Sequence, residues 1–331
     1  MSSQQIYHIP VTDMTPEQPT SPPPAHEPVM VREVLEVLAP REGRRALDLT
    51  VGMGGHAVTI GERLGTDGLL VGIDADRDAL EAAKATLTEK LDCEVRLFHG
   101  RFSETAKLME KLGISGFDAI LADLGVGSHQ LDDEQRGFSF ESDAPLDMRY
   151  DTGGGPTARE VINRTSESQL ADIFYELGEE RYSRQIAAKI CRRRREDPIR
   201  TPAELAEICK RVYARRGSGR TWRIHPATRV MMALRIYVNR ELEELEALLE
   251  DLPDMLTEGG RVAILTYHSL EARRVKQTWR RQADEGRMKE FSDSPLMPTD
   301  EEIEENPRAR SAQLRAARRP HTDTQGDPCS R

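Results

Sequence analysis

Cysteine is scarce in this chain, and the few that occur lie far apart. The 331 residues include four cysteines, at positions 93, 191, 209 and 329, and none forms a CxxC motif or a paired Cys/His motif. This spacing argues against a structural zinc site and against a disulfide framework. We therefore expect reduced thiols without a chemical role.

Long hydrophobic runs are also missing. Hydrophobic residues make up 37% of the chain and charged residues 31%, and no apolar run approaches the roughly 20 residues that cross a bilayer. The N-terminus lacks the basic-then-apolar pattern of a signal peptide. These features predict a globular cytoplasmic protein with no membrane partner, long enough for one large domain or two modest ones.

Charge is distributed unevenly along the sequence. The net charge is −10, yet residues 181–235 carry 16 Lys and Arg against 4 Asp and Glu, a local charge of +12 that leaves −22 for the remainder. Such a segment predicts a surface that faces a polyanion, although a single charge run is usually only a solvated helix face. The candidates in it are Arg192–Arg195, Arg215, Arg216, Arg220 and Arg223, with Trp222 for base stacking.

A glycine-rich turn follows the first predicted strand. Gly52, Gly54 and Gly55 allow the backbone to turn sharply and approach a ligand, and His56 opens a helix. A second apolar run ends at Asp74, about 20 residues further on, where a carboxylate can accept hydrogen bonds from a ribose diol. The pair predicts a cofactor that contains adenosine, and these residues alone leave both NAD and S-adenosylmethionine open.

The order of apolar runs predicts an α/β fold. Strands are expected at 46–50, 69–74, 95–99, 117–124 and 261–267, with a last strand through Ala312, Leu314 and Ala316. Helices alternate with them, which is typical of a parallel sheet with ligands at its carboxyl edge. Helical patterns replace strands over 143–227, at 167–177, 181–194 and 202–215, and one acidic amphipathic helix over 229–252 then leads back to the sheet.

This pattern predicts the domain organisation. Residues 26–142 and 228–319 should form a Rossmann-like cofactor-binding domain, and residues 143–227 an inserted, all-helical, basic domain that faces a polyanion, which the family resemblance given below implies to be RNA. Residues 1–25, rich in Pro, Ser, Thr and Gln, should be a disordered tail, and residues 320–331 a loose one.

Motifs that follow one another from residue 26 to residue 318 resemble those of one family. This is the RsmH or MraW family, the bacterial S-adenosylmethionine-dependent methyltransferases that modify the exocyclic amine of a cytosine in the decoding centre of small-subunit ribosomal RNA. The matching motifs are HEPVMVREVL (26–35), GMGGH (52–56), GIDAD (72–76), HGRF (99–102), DLGVGSHQLDDEQRGFSF (123–140), PLDMR (145–149), GEERYSRQIA (178–187), HPATR (225–229), TYHSLE (266–271) and NPRARSAQLR (306–315).

The resemblance implies a cofactor, a substrate and site residues. It implies a class I methyltransferase sheet, S-adenosylmethionine as methyl donor, 16S rRNA in the small ribosomal subunit as substrate, and a homodimer as a possible assembly. The implied cofactor contacts are Gly54, Gly55 and His56 on the methionine and ribose side, Asp74 at the ribose hydroxyls, Phe102 at the adenine, and Asp123 with Gln130 near the reacting centre. The chain departs from the family at Leu49, where a small residue is usual, and at Gly127-Ser128, where Ser-Ser is common, so the local loop shape can differ.

Methyl transfer to a cytosine amine needs an acceptor for its N–H and a base that has left its stack. We expect Asp123, or a carbonyl of the loop from 123 to 127, to be that acceptor. Phe138, Phe140 and Tyr267 are candidates for stacking, although both phenylalanines are as readily explained as core residues. The candidates for the base edge and the phosphates are His268, Ser269, Arg308 and Arg310.

Other functions explain fewer of these features. His268-Ser269 with a distant Asp lacks a G-x-S-x-G elbow, so a hydrolytic triad is not expected. Consecutive acids at Asp132, Asp133 and Glu134 are more typical of a solvated loop than of a metal site, and the displacement needs no metal. An NAD-dependent oxidoreductase, a methyltransferase for DNA or protein, and an RNA-binding assembly factor with a vestigial pocket remain as alternatives.

Overall fold

The computed structural model describes residues 7–8, 28–214 and 224–321. The strands in these ranges are β1 (Tyr7–His8), β2 (Arg45–Asp48), β3 (Leu69–Asp74), β4 (Glu94–His99), β5 (Phe117–Asp123), β6 (Leu256–Thr266), β7 (Lys289–Glu290) and β8 (Gln313–Arg318). The helices are α1 (Val31–Leu38), α2 (Gly55–Gly61), α3 (Arg77–Lys90), α4 (Thr105–Leu112), α5 (Ser128–Asp132), α6 (Ala158–Arg164), α7 (Glu167–Glu176), α8 (Ser183–Glu196), α9 (Pro202–Ala214), α10 (Thr228–Asn239), α11 (Glu241–Met255), α12 (Ser269–Asp284) and α13 (Asp300–Glu305).

The chain divides into two compact units. The first comprises Met1–Gly125 with Glu244–Arg331, and the second comprises Val126–Glu243. The second unit extends beyond the predicted insert of 143–227 at both ends. It does so because Phe138, together with Val230 and Leu234 of α10, is buried in the same apolar cluster as the helices between them.

One sheet runs through the first unit in the order β1-β4-β3-β2-β5-β6-β8-β7. Strands β4, β3, β2, β5 and β6 are parallel, whereas β8 is antiparallel to its neighbours β6 and β7, and β1 is antiparallel to β4. Strands β2, β3 and β4 follow one another toward one edge of the sheet, whereas β5 and β6 follow one another toward the other edge. The direction in which strands are added therefore reverses between β2 and β5. Open α/β sheets bind ligands at the carboxyl ends of strands at such a switch point. The predicted α/β class is confirmed.

Alternation along the strands gives the sheet an apolar layer on each face. Successive side chains point to opposite faces, and the buried residues divide accordingly into two clusters. One cluster includes Leu47, Val71, Ile120, Val262 and Trp279. The other includes Ala46, Leu70, Leu121, Ala263 and Leu314.

The strand predictions were accurate where the apolar run was long. The predicted strand at 69–74 coincides with β3, and the one at 117–124 ends one residue beyond β5. The two-residue strands β1 and β7 are too short for a periodic signal. Strand β1 lies within the tail predicted to be disordered and pairs with Leu97 and Arg96 of β4, whereas residues 1–6 and 9–25 of that tail lie outside the described residues.

The prediction of one helix over 229–252 is wrong. Arg240 has a φ of 56°, which is left-handed, and its N–H bonds to the carbonyls of Ile236 and Tyr237 to end α10. Helix α11 begins at the next residue. The apolar pattern continues across the break because both helices bury one face, for example at Leu234 and Leu245, so hydropathy does not register it. In the described ranges, no helix combines the length and apolar character that a bilayer crossing requires.

Replacing Arg240 by glycine should raise the free energy of unfolding by about 0.5–1 kcal/mol, because a left-handed residue other than glycine costs about 1–2 kcal/mol and glycine removes that cost. Calorimetric melting of wild type, Arg240→Gly and Arg240→Val tests this, and the valine variant should be less stable than wild type. If residues 229–252 formed one unbroken helix, Arg240→Gly would instead lower the free energy of unfolding by about 1 kcal/mol. The sign of the change in free energy of unfolding therefore decides between one helix and two.

Candidate active site

The turn after β2 keeps the shape that its glycines predict. Gly52 and Gly54 have φ values of 52° and 90°, in the left-handed region where a side chain is disfavoured. The Gly54 N–H donates to the Val51 carbonyl at 2.8 Å, and α2 begins at Gly55. His56, the next residue, is buried. The predicted contacts of Gly54, Gly55 and His56 with a cofactor remain predictions.

Asp74 ends β3 and ties the glycine turn to it. Its Oδ2 accepts the Gly52 N–H at 2.7 Å, and its Oδ1 accepts the Asp76 N–H at 2.8 Å. A carboxylate offers about four lone-pair sites, so both oxygens can still accept a ribose hydroxyl. The sequence predicted the ribose contact and not the link between the two loops.

A recess opens at the ends of β3 and β4. Its lining residues are Ile73, Phe98, His99, Gly100, Arg101, Glu104 and Leu108. Phe102 follows β4 and is half-buried against the core of this unit. The walls of the recess combine apolar side chains with a few polar groups, and Ile73 in its lining is the neighbour of Asp74 in β3.

Asp123 ends β5 and is held at two atoms. Its Oδ1 accepts a hydrogen bond from the Tyr267 hydroxyl at 2.7 Å, and its backbone N–H donates to Thr50 Oγ1 at 2.7 Å. Its Oδ2 lies 3.7 Å from His56 Nε2, beyond hydrogen-bond distance. The side chain keeps 26% of its surface exposed at the switch point.

Burial raises the pKa of Asp123 to about 7. The charge of Glu271 acts in the same direction, whereas the Tyr267 hydrogen bond favours the ionised form and lowers the pKa. A carboxyl group with this pKa changes between a donor and a pure acceptor near neutral pH. Such perturbed groups concentrate at functional sites.

Asp48 was not selected as a site residue in the sequence analysis. It ends β2, the strand that pairs with β5. It is fully buried at the end of β2, and its Oδ1 accepts the Thr50 N–H at 3.0 Å. Its pKa is raised to about 7, mainly by burial and in the same direction by the charges of Asp123 and Asp74. Thr50 links the two residues, because its N–H donates to the Asp48 carboxylate and its hydroxyl oxygen accepts the backbone N–H of Asp123. The sequence signal that could have identified Asp48 is an acidic residue at the end of an apolar strand.

Tyr267 makes a contact that the sequence analysis did not predict. Its hydroxyl donates to Asp123, and a Cβ added at Gly125 would lie 3.1 Å from its ring. Gly125 has a φ of 128°, which also disfavours a side chain. Tyr267 therefore orients Asp123, with its ring beside the backbone of the loop that follows β5, and its stacking on a base remains a prediction.

His268 and Ser269 begin α12. The His268 side chain accepts the Glu271 N–H at 3.4 Å and lies 3.1 Å from Glu271 Oε1, while Glu271 Oε2 accepts the Tyr267 N–H at 2.9 Å. This is a reciprocal cap at a helix N-terminus, and it accounts for His268 without a substrate. Ser269 is exposed and stays a predicted contact of the base edge.

Three of the predicted site residues are carried by the second unit. Gln130 is buried, and its Oε1 accepts the Gly127 N–H at 3.1 Å, closing the first turn of α5. Phe138 is 8% exposed and stacks on Tyr150 within the core, so the alternative assignment to the core describes it. Phe140 is half-buried and stacks on His225 with ring centroids 4.2 Å apart.

Arg308 and Arg310 lie on a short 3-10 turn over Pro307–Ser311. Both are exposed, on either side of the buried Ala309, and the Asn306 side chain accepts the Arg308 N–H at 3.2 Å. The turn therefore presents two cations to solvent, as a phosphate contact requires. Arg215, Arg216, Arg220, Arg223 and Trp222 of the basic segment lie outside the described residues.

Comparison with known proteins decides the family. The sequence profile of the MraW methylase family matches residues 24–320. The chain belongs to the MraW methylase family. It is similar to the Ribosomal RNA small subunit methyltransferase H of Koribacter versatilis, with 44% identity over 301 residues that cover 89% of this chain and 94% of the relative. The protein of that name from Syntrophotalea carbinolica is 46% identical over 309 residues, which cover 89% and 98%.

One solved structure is similar at a greater distance. The SAM-dependent O-methyltransferase of Thermotoga maritima is 10% identical, with a TM-score of 0.41 over 91% of this chain and 69% of that one. The assignment to the MraW family rests on the sequence relatives, and it confirms the resemblance stated above.

Asp48→Asn should flatten the pH dependence of stability of this MraW-family protein. Since the pKa of Asp48 is about 7 when folded and 3.8 in its ordinary state, the folded state retains a proton that the unfolded state has lost. Wild-type stability should therefore fall as the pH rises between these values, by roughly 2–4 kcal/mol from this residue. Asparagine keeps the acceptor for Thr50 and cannot ionise.

Urea unfolding at about pH 4.5 and about pH 8 measures the effect, which the linkage relation predicts to be smaller in Asp48→Asn. Asp67→Asn, at an exposed turn, is the matched control and should retain the wild-type dependence. An Asp48→Asn curve parallel to that of wild type would show that Asp48 is ionised when folded.

Proposed function

We propose that this protein transfers a methyl group from S-adenosylmethionine to the exocyclic N4 of a cytosine in the decoding centre of 16S rRNA. The names of the relatives support small-subunit rRNA as the substrate. The choice of N4 and of the decoding centre rests on the family resemblance. The observation that carries the chemistry is the partly exposed Asp123 carboxylate, which is fixed at the switch point by Tyr267 through Oδ1 and by Thr50 through the backbone N–H.

The residues at the carboxyl edge fit the methyl donor. S-adenosylmethionine supplies a methyl group on a sulfonium sulfur, which becomes a neutral thioether when the methyl group leaves. Asp74 would hold the ribose hydroxyls, and the recess lined by Ile73, Phe98 and Leu108 would take the adenine, with Phe102 beside it. The remaining proposed contacts are those of Gly54, Gly55, His56 and Gln130.

Asp123 addresses the main chemical difficulty, the weak nucleophilicity of the cytosine amine. The lone pair of N4 is delocalised into the ring, and an acceptor for one N–H restores electron density to the nitrogen. We assign this role to Asp123 Oδ2, because Oδ1 already accepts the Tyr267 hydroxyl. As the N–C bond forms and the C–S bond breaks, positive charge appears on N4, and the ionised carboxylate stabilises it. The methylated nitrogen then loses one proton to water.

Holding the reactants in line supplies much of the rate. A near-attack geometry can contribute roughly 7–11 kcal/mol in well-oriented systems, and it requires the acceptor to be fixed before the base arrives. The two contacts of Asp123 with residues from β6 and from the turn after β2 provide that rigidity. Thr50 and Tyr267 are accordingly positioning residues, and Asp123 is the catalytic residue.

The reaction is tested by transfer of a labelled methyl group to small ribosomal subunits from a strain that lacks the modification. Nucleoside mass spectrometry of the recovered RNA should find N4-methylcytidine. Asp123→Asn, which keeps the size of the side chain, should lower kcat by about 10²–10³-fold while isothermal titration shows unchanged binding of S-adenosylmethionine. Label on another nucleoside would refute the substrate, and an active Asp123→Asn variant would refute the mechanism.

Tyr267→Phe should shift the pH profile. The Tyr267 hydrogen bond lowers the pKa of Asp123, so its loss should move the acid limb of kcat/KM to higher pH. In wild type that limb should have an apparent pKa of about 7, with activity lost as Asp123 takes up a proton. At neutral pH the variant should be roughly tenfold slower, and above the shifted limb the difference should shrink.

Tyr237→Phe, at a side chain that is 43% exposed, is the control and should leave the profile unchanged. A uniform loss of activity at every pH in Tyr267→Phe, without a shift of the limb, would indicate that the tyrosine only supports the fold.

A further inference from the structure

The basic segment of the second unit contains two kinds of arginine. One kind is neutralised within the unit, as in the ion pairs of Arg193 with Asp197, at 3.3 Å, and of Arg211 with Glu207, at 2.8 Å. Arg194 also belongs to this kind, since it donates to the carbonyls of two residues at the end of α6 and beyond it. These side chains stabilise the helical unit and offer little charge to a partner.

Arg184, Arg192 and Arg195 of α8 are of the second kind. All three are exposed, and within the described ranges no carboxylate or carbonyl is recorded as a partner of any of them. Burying their charge would cost free energy, and their exposure without a partner leaves each guanidinium fully available. They differ in this from exposed arginines such as Arg164, which pairs with Glu160 at 3.0 Å.

The helix places these three arginines on one side. At 100° per residue, Arg184, Ala188, Arg192 and Arg195 fall within an arc of about 80°, and at 1.5 Å per residue the arginines span about 16 Å along the axis. The opposite side of α8, with Ile186, Ala187 and Ile190, is buried in the core. We call these four residues the α8 stripe.

The composition of the stripe suits a phosphate backbone. Arginine binds a phosphate through two parallel N–H donors, and the methyl group of Ala188 leaves room for a strand between the guanidinium groups. The acid of α8, Glu196, lies at the edge of the exposed side. A span of about 16 Å covers several consecutive phosphates of a nucleic-acid backbone. A single acidic side chain or a small anion would need only one of the three arginines.

We propose that the α8 stripe binds the phosphate backbone of the rRNA substrate. The inference rests on the proposed function for the identity of the RNA, but the surface itself is defined by exposure, charge and helical register. The proposal assigns RNA contact to three arginines among the 16 cations of residues 181–235. The sequence alone could not tell these three from the others.

The test compares two triple variants of the full-length protein that lose equal charge. The stripe variant is Arg184→Gln, Arg192→Gln and Arg195→Gln, and the matched control is Arg164→Gln, Arg200→Gln and Arg211→Gln, whose arginines are exposed but paired. Binding to fluorescein-labelled rRNA fragments that contain the decoding-centre helix is measured by anisotropy over a salt series. Each lost phosphate contact reduces the magnitude of the slope of log K against log salt by about 0.7–0.9. For the stripe variant, which loses three arginines, this magnitude should therefore fall by about 2–3. The variant should also bind the RNA at least roughly tenfold more weakly than wild type. The control should lose much less than this.

Further variants and outcomes keep the test decisive. Replacing the three stripe arginines by lysine should retain most of the salt slope, whereas Ala188→Glu should weaken binding without touching the buried side of α8. Equal losses in the stripe and control variants would overturn the proposal by showing a general charge effect. Unchanged binding to bare RNA with weaker binding to intact small subunits would also overturn it, since it would assign the stripe to a ribosomal protein. Because affinity is read without methyl transfer, failure here is distinguishable from failure of the proposed reaction.

Discussion

The burial of two carboxyl groups at the switch point of the sheet is the constraint on which the candidate site depends. Asp48 and Asp123 end neighbouring parallel strands, and both lie where water cannot stabilise a charge well. Burying an ionised group is costly unless other groups solvate it. Thr50 donates its N–H to the Asp48 carboxylate, and its hydroxyl oxygen accepts the backbone N–H of Asp123, so one residue holds both strand ends. The turn after β2 and the acceptor at the end of β5 are consequently one structural unit.

The same network extends to the third strand end. Tyr267 follows β6 and donates its hydroxyl to Asp123, while its N–H donates to Glu271 in the first turn of α12. Displacement of α12 would therefore alter the orientation of the Asp123 carboxylate. Gly125 allows this arrangement, because any side chain there would meet the ring of Tyr267. Close approach and a φ of 128° therefore explain glycine at this position.

Local features of the site were predictable from the sequence, and distant contacts were not. The sharp turn at Gly52 and Gly54 and the carboxylate at Asp74 follow from residue type and spacing, because backbone conformation and strand ends leave local signals. The bond between Tyr267 and Asp123 joins residues 144 positions apart, and no periodicity reports such a pair. Aromatic residue types suggested stacking for Tyr267 and Phe138, but tertiary packing assigns one to an orienting role and the other to the core. Arg240 shows the same limit, since a single left-handed residue divides a continuous apolar pattern.

Electrostatics acts in two separate ways in this protein. In the first unit, buried carboxyl groups carry perturbed pKa values, and their interactions are short-ranged and weakly screened by salt. In the second unit, the α8 stripe is exposed, so its attraction for RNA is strongly screened by salt. The count of 16 cations in residues 181–235 does not separate the arginines that are held within the unit from those that are exposed to a partner. Half-buried arginines such as Arg194 and exposed ones such as Arg192 contribute equally to net charge. Substrate capture should therefore depend on ionic strength and the chemical step on pH, which allows the two functions of one chain to be measured independently.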